Sequence, residues 1–138
     1  MAVGEAVIVA GVGCRKGAAA AEIGAAISAA LERCGLATDA LALIATSSAK
    51  GAEPGIRGAA LALGVPMVLV EQRALVDAGE RAATKSQRVL LRTGVSSLAE
   101  AAALAAAGPA ARLIAQRVAI GGATCALAQS PQLAVSAA

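Results

Sequence analysis

The chain contains no phenylalanine, tyrosine or tryptophan among its 138 residues. Hydrophobic residues still make up 58% of it. The core must therefore be built from Leu, Ile, Val, Met and much Ala, and helices have to approach their neighbours closely to exclude water. No ring is available to stack on a flat ligand. Histidine is absent too, which removes the usual general base, the Ser/His and Cys/His nucleophile pairs and the commonest metal ligand.

The length suits one domain with one core. We read residues 1–128 as that domain and 129–138 as a tail that frays. The charge balance is 12 − 9 = +3, scattered along the chain. With no aromatic residue for base stacking, that is no footprint of a nucleic-acid binder. Cys14, Cys34 and Cys125 are far apart and odd in number, so neither a disulfide framework nor a zinc site is expected. No resident metal or cofactor is expected. The start lacks the pattern of a secretory signal, and uncharged apolar stretches fall short of about 18 residues, so no membrane span is expected. A cytoplasmic location follows as the simplest expectation.

Residues 5–10 are short, β-branched and apolar on both faces, as buried parallel strands are. The run Gly11-Val12-Gly13-Cys14-Arg15-Lys16-Gly17 reads as a loop after that strand. A helix over 18–34 follows, with Ile23, Ile27 and Leu31 on one face and Gly35 as its stop. Residues 41–45 form a second strand, and 46–51 a second loop. Pro54 opens a helix that ends at Gly64, and residues 67–70 form a third strand. The order β-α-β-α-β predicts a parallel sheet with right-handed crossovers.

Residues 71–78 read as a short helix, 79–85 as a mobile polar stretch, and 86–92 as another short helix. Ser97 and Glu100 form a capping-box pattern ahead of a helix over 98–107, stopped by Gly108 and Pro109. Residues 112–119 and 123–128 are strands joined by a tight Gly121-Gly122 turn. The predicted fold class is α/β: a mostly parallel sheet flanked by helices, with a β-α-β-α-β start and a C-terminal β-hairpin.

The first loop is the strongest local signal. Glycines, a helix start and the cations Arg15 and Lys16 suit a carboxylate or phosphate. The spacing Gly11, Gly13, Gly17 is one residue longer than the dinucleotide fingerprint, and no acidic residue ends the second strand to hold a ribose. The same glycines could instead serve close helix–sheet packing. Cys14 could be activated there, or be a small residue tolerated at a tight turn. Thr46, Ser47, Ser48, Lys50 and Glu53 of the second loop lie at the same sheet edge, where open α/β sheets bind ligands; Lys50 and Glu53 could also be solvated charges. Ser96, Ser97 and Glu100 open a further helix, and capping alone explains Ser97 and Glu100. Arg73, Arg81, Lys85, Arg88 and Arg92 read as a solvated face.

Three segments together resemble one family, the CobE proteins and the C-terminal domain of CbiG in cobalamin biosynthesis. They are Gly11 to Gly17 with Glu22-Ile23; Ala45-Thr46 through Lys50 with Glu53-Pro54-Gly55 and Leu63-Gly64-Val65-Pro66; and Gly94-Val95-Ser96-Ser97-Leu98-Ala99-Glu100 onward, closed by Ala123-Thr124. The length is similar to that of the stand-alone members. Ser47-Ser48-Ala49 departs from a more acidic or bulkier run, and Arg117 stands where Lys is often found.

The resemblance implies a role in making the corrin ring. Its ligand would be a tetrapyrrole intermediate, a precorrin or hydrogenobyrinic acid, rimmed by carboxylates. Gly11, Gly13, Cys14, Arg15, Lys16, Thr46, Lys50, Glu53, Ser96, Ser97, Glu100 and Thr124 are the candidate ligand-binding residues. The reading preferred on the residues is an accessory binder or carrier without catalysis. The alternatives are a precorrin lactone hydrolase or ring-modifying enzyme with Glu53 or Glu100 as base, and a module docking on a pathway methyltransferase through residues 79–92. Other cobalamin-pathway enzymes are then possible partners.

Overall fold

A computed structural model describes residues 7–85 and 98–130 of the chain. Five strands form one sheet: β1 (Val7–Cys14), β2 (Leu41–Ser47), β3 (Met67–Val70), β4 (Arg112–Ile120) and β5 (Ala123–Ser130). Among the described residues four α-helices cover it: α1 (Ala20–Arg33), α2 (Pro54–Leu63), α3 (Gln72–Lys85) and α4 (Leu98–Ala107). The order across the sheet is β3-β2-β1-β5-β4.

β1 is central and apolar on both sides because successive side chains point to opposite faces. Ile8, Ala10 and Val12 join Ile23, Ile27 and Leu31 of α1 and Ile56 of α2 in one core. Val9 belongs to the other core, with Leu75 and Ala78 of α3 and Ala102, Ala103 and Leu104 of α4. The molecule thus has three layers, helices on each side of the sheet. Burying each Ile or Leu of the first core contributes about 1.5–3 kcal/mol. The second core presents mainly alanine, so it must gain from close approach. Gly11 makes that approach possible: a Cβ there would collide with the carbonyl oxygen of Ala99 and the backbone nitrogen of Ala103.

The expected boundaries hold at several helix ends. Gly35 takes a left-handed φ of 71°, and Leu36 returns its N–H to Leu31 O at 2.9 Å, closing α1 and folding Leu36 onto the core. Gly64 caps α2 in the left-handed region, and α4 covers the expected residues and ends before Gly108.

Three expectations are corrected. The sheet is mixed rather than mostly parallel: β1–β2 and β2–β3 are parallel, while β1–β5 and β4–β5 are antiparallel. The two-residue Gly121-Gly122 turn forces β4 and β5 to run in opposite directions. β5 takes the inner place because it is buried from Cys125 to Ala128, whereas β4 exposes Arg112, Gln116 and Arg117 and suits an edge. Secondly, β1 continues to Cys14 and β2 to Ser47. Gly11 and Gly13 are therefore strand residues, and the first loop is only residues 15–19. Thirdly, residues 79–85 continue α3 instead of forming a mobile stretch. Glu80 is exposed while Leu75 and Ala78 face the core, so polarity there marks the outer side of a helix. β5 itself reaches Ser130. The helix expected over 86–92 lies outside the described residues, as do Ser96 and Ser97.

Two outcomes test this packing. Gly11→Ala should destabilise the fold by about 1–3 kcal/mol through overpacking against backbone. Gly24→Ala, in α1 with open space around it, should stabilise by about 0.5–1 kcal/mol. Urea unfolding followed by far-ultraviolet circular dichroism reads both. The buried Cys125 thiol is pushed by desolvation from an ordinary 9.0 up to about 12. Between those values the unfolded chain releases this proton and the folded chain keeps it. Its contribution is therefore whole below pH 9.0 and declines as pH rises towards about 12. The wild type should lose up to about 1.4 kcal/mol per pH unit there relative to Cys125→Ala, whose curve should be flatter.

Candidate functional site

In a parallel arrangement, chain reversals after strands collect at one sheet edge. The ends of β1, β2 and β3 meet there, and the register of Cys14 with Ala123 brings the Gly121-Gly122 turn to the same edge. α4 starts there too, since Leu98 lies over Gly13 and Ala99 and Ala103 lie over Gly11. From β1 the chain leaves in one direction to β2, while β5 fills the other side. The crevice at such a reversal is the usual ligand position in open α/β sheets.

Two loops dominate the edge. Arg15, Lys16 and Gly17 of the first are exposed. The second contains a single 3-10 turn, Ser48–Lys50, with Lys50 half-buried. Glu53 ties them together: its carboxylate accepts the Gly17 N–H at 3.1 Å. The second loop is also held from behind by Arg57, whose Nε donates to Gly51 O at 2.8 Å. Arg57 was not singled out from the sequence, since no motif there points to its bond with Gly51.

Cys14 is half-buried at the end of β1. Burial, then the Glu53 carboxylate, push its thiol above the ordinary range, and Lys50 partly opposes them. Cys14, Lys50 and Glu53 are thus electrostatic neighbours. The thiol is thereby held protonated, the opposite of an activated nucleophile.

Two hydroxyls brace β1 from either side. Thr46 is fully buried and donates to Val12 O at 2.8 Å; Thr124 donates to Gly13 O at 3.2 Å. Gly11 and Gly13 serve helix–sheet approach beneath the edge rather than a phosphate-cradling turn. Glu100 is buried, and its Oε2 accepts the Arg117 N–H at 3.1 Å. That N–H sits where the β4–β5 register shifts between Ala115 and Val118, a bulge that frees a backbone donor. The structure thus brings Cys14, Lys50 and Glu53 together beside the exposed Arg15–Gly17 loop, whose Arg15 lies against the β4–β5 turn, with Thr46 and Thr124 bonded to β1 and Glu100 engaged towards β4.

Exposed cations on backbone-anchored loops can grip carboxylates by charge-assisted hydrogen bonds. Among the described residues no group of three or more His, Cys, Asp or Glu stands together to hold a metal ion. No described helix is long and apolar enough to cross a membrane.

The family model for the C-terminus of cobalamin synthesis G matches residues 8–128. A cobalamin biosynthesis protein chiG from Agrobacterium tumefaciens has a similar structure, with a TM-score of 0.75 and 42% identity, over 90% of this chain and 98% of that one. CobE, a protein from the cobalamin (vitamin B12) biosynthetic pathway, aligns with a TM-score of 0.76 and 34% identity over 90% and 93% of the two chains. A cobalamin biosynthesis protein G homolog from Sulfolobus solfataricus aligns at 0.66 and 27%, over 89% of this chain but 36% of that one. The comparison with curated proteins finds no match.

The electrostatics of Cys14 are open to test. Alkylation by iodoacetamide at mildly alkaline pH should be slower in the folded protein than in urea. Glu53→Gln keeps an oxygen for the Gly17 N–H but removes the charge, so it should speed the reaction several-fold; Lys50→Ala should slow it. Peptide mass spectrometry assigns the modified thiol.

Proposed function

Because the chain belongs to the cobalamin synthesis G C-terminal family, we propose that it takes part in cobalamin biosynthesis by binding a tetrapyrrole intermediate, a precorrin or hydrogenobyrinic acid, as an accessory or carrier protein of the cytoplasm. The observation that supports this most is the Gly17–Glu53 hydrogen bond. It fastens the Arg15-Lys16 loop to the Lys50 loop, so that the loops carrying three cations are joined at one edge. A corrin precursor carries many acetate and propionate groups around an apolar macrocycle. Carboxylates of that kind match such a rim, and apolar contacts serve the ring.

Binding without turnover is favoured by what the candidate catalytic groups do. Glu53 already accepts a backbone N–H, Glu100 is buried with its carboxylate engaged towards β4, and the Cys14 thiol is held protonated. No histidine is available as a proton shuttle. Other enzymes of the pathway would then be the donor and acceptor of the bound intermediate.

Titration of hydrogenobyrinic acid and earlier precorrins, followed in the ligand's visible band, tests the proposal. Wild type should form a complex that weakens with salt. The double variant Arg15→Ala/Lys16→Ala should bind at least about tenfold more weakly, equivalent to about 1.4 kcal/mol. A flat titration with every intermediate would overturn the reading. A spectrum that converts with time, and stops doing so in Glu53→Gln, would replace it with the hydrolase.

A further inference from the structure

Arg15 is exposed, yet its side chain does not extend freely from the loop. Its backbone N–H donates to Gly122 O at 2.9 Å, continuing the β1–β5 ladder one step past Cys14 and Ala123. The side chain then lies flat across the β4–β5 turn. A Cβ on Gly122 would stand 2.8 Å from Arg15 Cγ, 2.9 Å from Cδ and 2.6 Å from Nε. Nothing larger than hydrogen can occupy that side of residue 122 while Arg15 stays in place. The adjoining residue repeats the arrangement: Gly121, with a left-handed φ of 57°, has the Glu22 carboxylate of α1 where its side chain would be.

We infer that Gly122 is a positioning residue: its bare Cα is the seat on which Arg15 is held at the binding edge. This rests on the reading of Arg15 as a ligand-gripping cation. The physical reason is entropic. A free arginine loses much rotamer freedom when it grips a carboxylate, whereas one whose stem is already packed loses less on binding. Two features of the turn make the seat. Its backbone carbonyl fixes the start of the Arg15 residue, and its missing side chain leaves the room in which the stem packs. Glu22 on Gly121 leaves a carboxylate on the neighbouring part of the turn.

The obstacle created by a side chain at 122 is the flexible Arg15 stem rather than backbone, and Gly122 does not have a left-handed φ. Gly122→Ala should therefore release Arg15 while the fold stays intact, which thermal unfolding by circular dichroism checks. In the unliganded protein, the heteronuclear NOE of the Arg15 Nε–H should fall from an ordered value in wild type to an averaged one in Gly122→Ala. Affinity for hydrogenobyrinic acid should drop about two- to tenfold, the cost of ordering one long side chain. In an Arg15→Ala background, Gly122→Ala should change affinity no further.

An unchanged NOE, or an affinity loss of the same size with and without Arg15, overturns the inference. If wild type binds no tetrapyrrole, the proposed function fails, while the NOE still decides whether the turn seats Arg15. Should Gly122→Ala unfold, the wild-type protein decides alone: an averaged Arg15 Nε–H NOE overturns the inference, and an ordered one supports it.

Discussion

The contact on which the rest of this structure depends is backbone against backbone: the start of α4 lying on β1 at Gly11. A chain without aromatic rings has few large side chains to span a gap between layers. It closes the second core by bringing a helix of alanines down to a strand of glycines and small residues. That contact buries Ala99, Ala102 and Ala103 completely and aims the first turn of α4 at the edge where β1 ends. It also carries the buried Glu100 to β4, where it satisfies the donor freed by the bulge. Fold and edge are thus outcomes of one close approach.

At the edge itself, precision comes from backbone groups rather than from helix caps. Neither α1 nor α2 has a side-chain cap at its start. The loops are instead joined to each other through Gly17 and Glu53, to α2 through Gly51 and Arg57, and to the hairpin through Arg15 and Gly122. A carboxylate that reads as a catalytic candidate becomes a fastener in this setting. Its hydrogen bond and its charge serve different neighbours, Gly17 and Cys14.

Much of this was legible in the residues. Periodic Ile23, Ile27 and Leu31 located α1 and its buried face, and the Gly-Gly pair located the hairpin. The three resembling segments pointed to the family that the comparisons then established. The place of the hairpin in the sheet was not legible, because strand order depends on which strand can be buried on both faces. That emerges only when β5 and β4 are weighed against each other beside β1. Nor was the true role of Gly11 and Gly13 resolved. Glycine in a turn and glycine beneath a helix look alike until the helix is in place. Arg57 carried no motif, and neither the resembling segment that holds Glu22 nor the turn that holds Gly122 disclosed their partners, since these three residues meet groups 6 to 107 positions away.

The mixed sheet has a consequence for how such a chain acquires its structure. β1 is the first described strand to be synthesised and β5 the last, yet they pair along their whole length, from Val7 with Ser130 to Cys14 with Ala123. Until β5 emerges, β1 has β2 on one side and an unpaired apolar edge on the other. The central ladder is therefore closed late, across the widest sequence separation in the described fold. Topology of that kind slows folding relative to local helical contacts, and leaves a half-built sheet that neighbouring chains or chaperones can meet first.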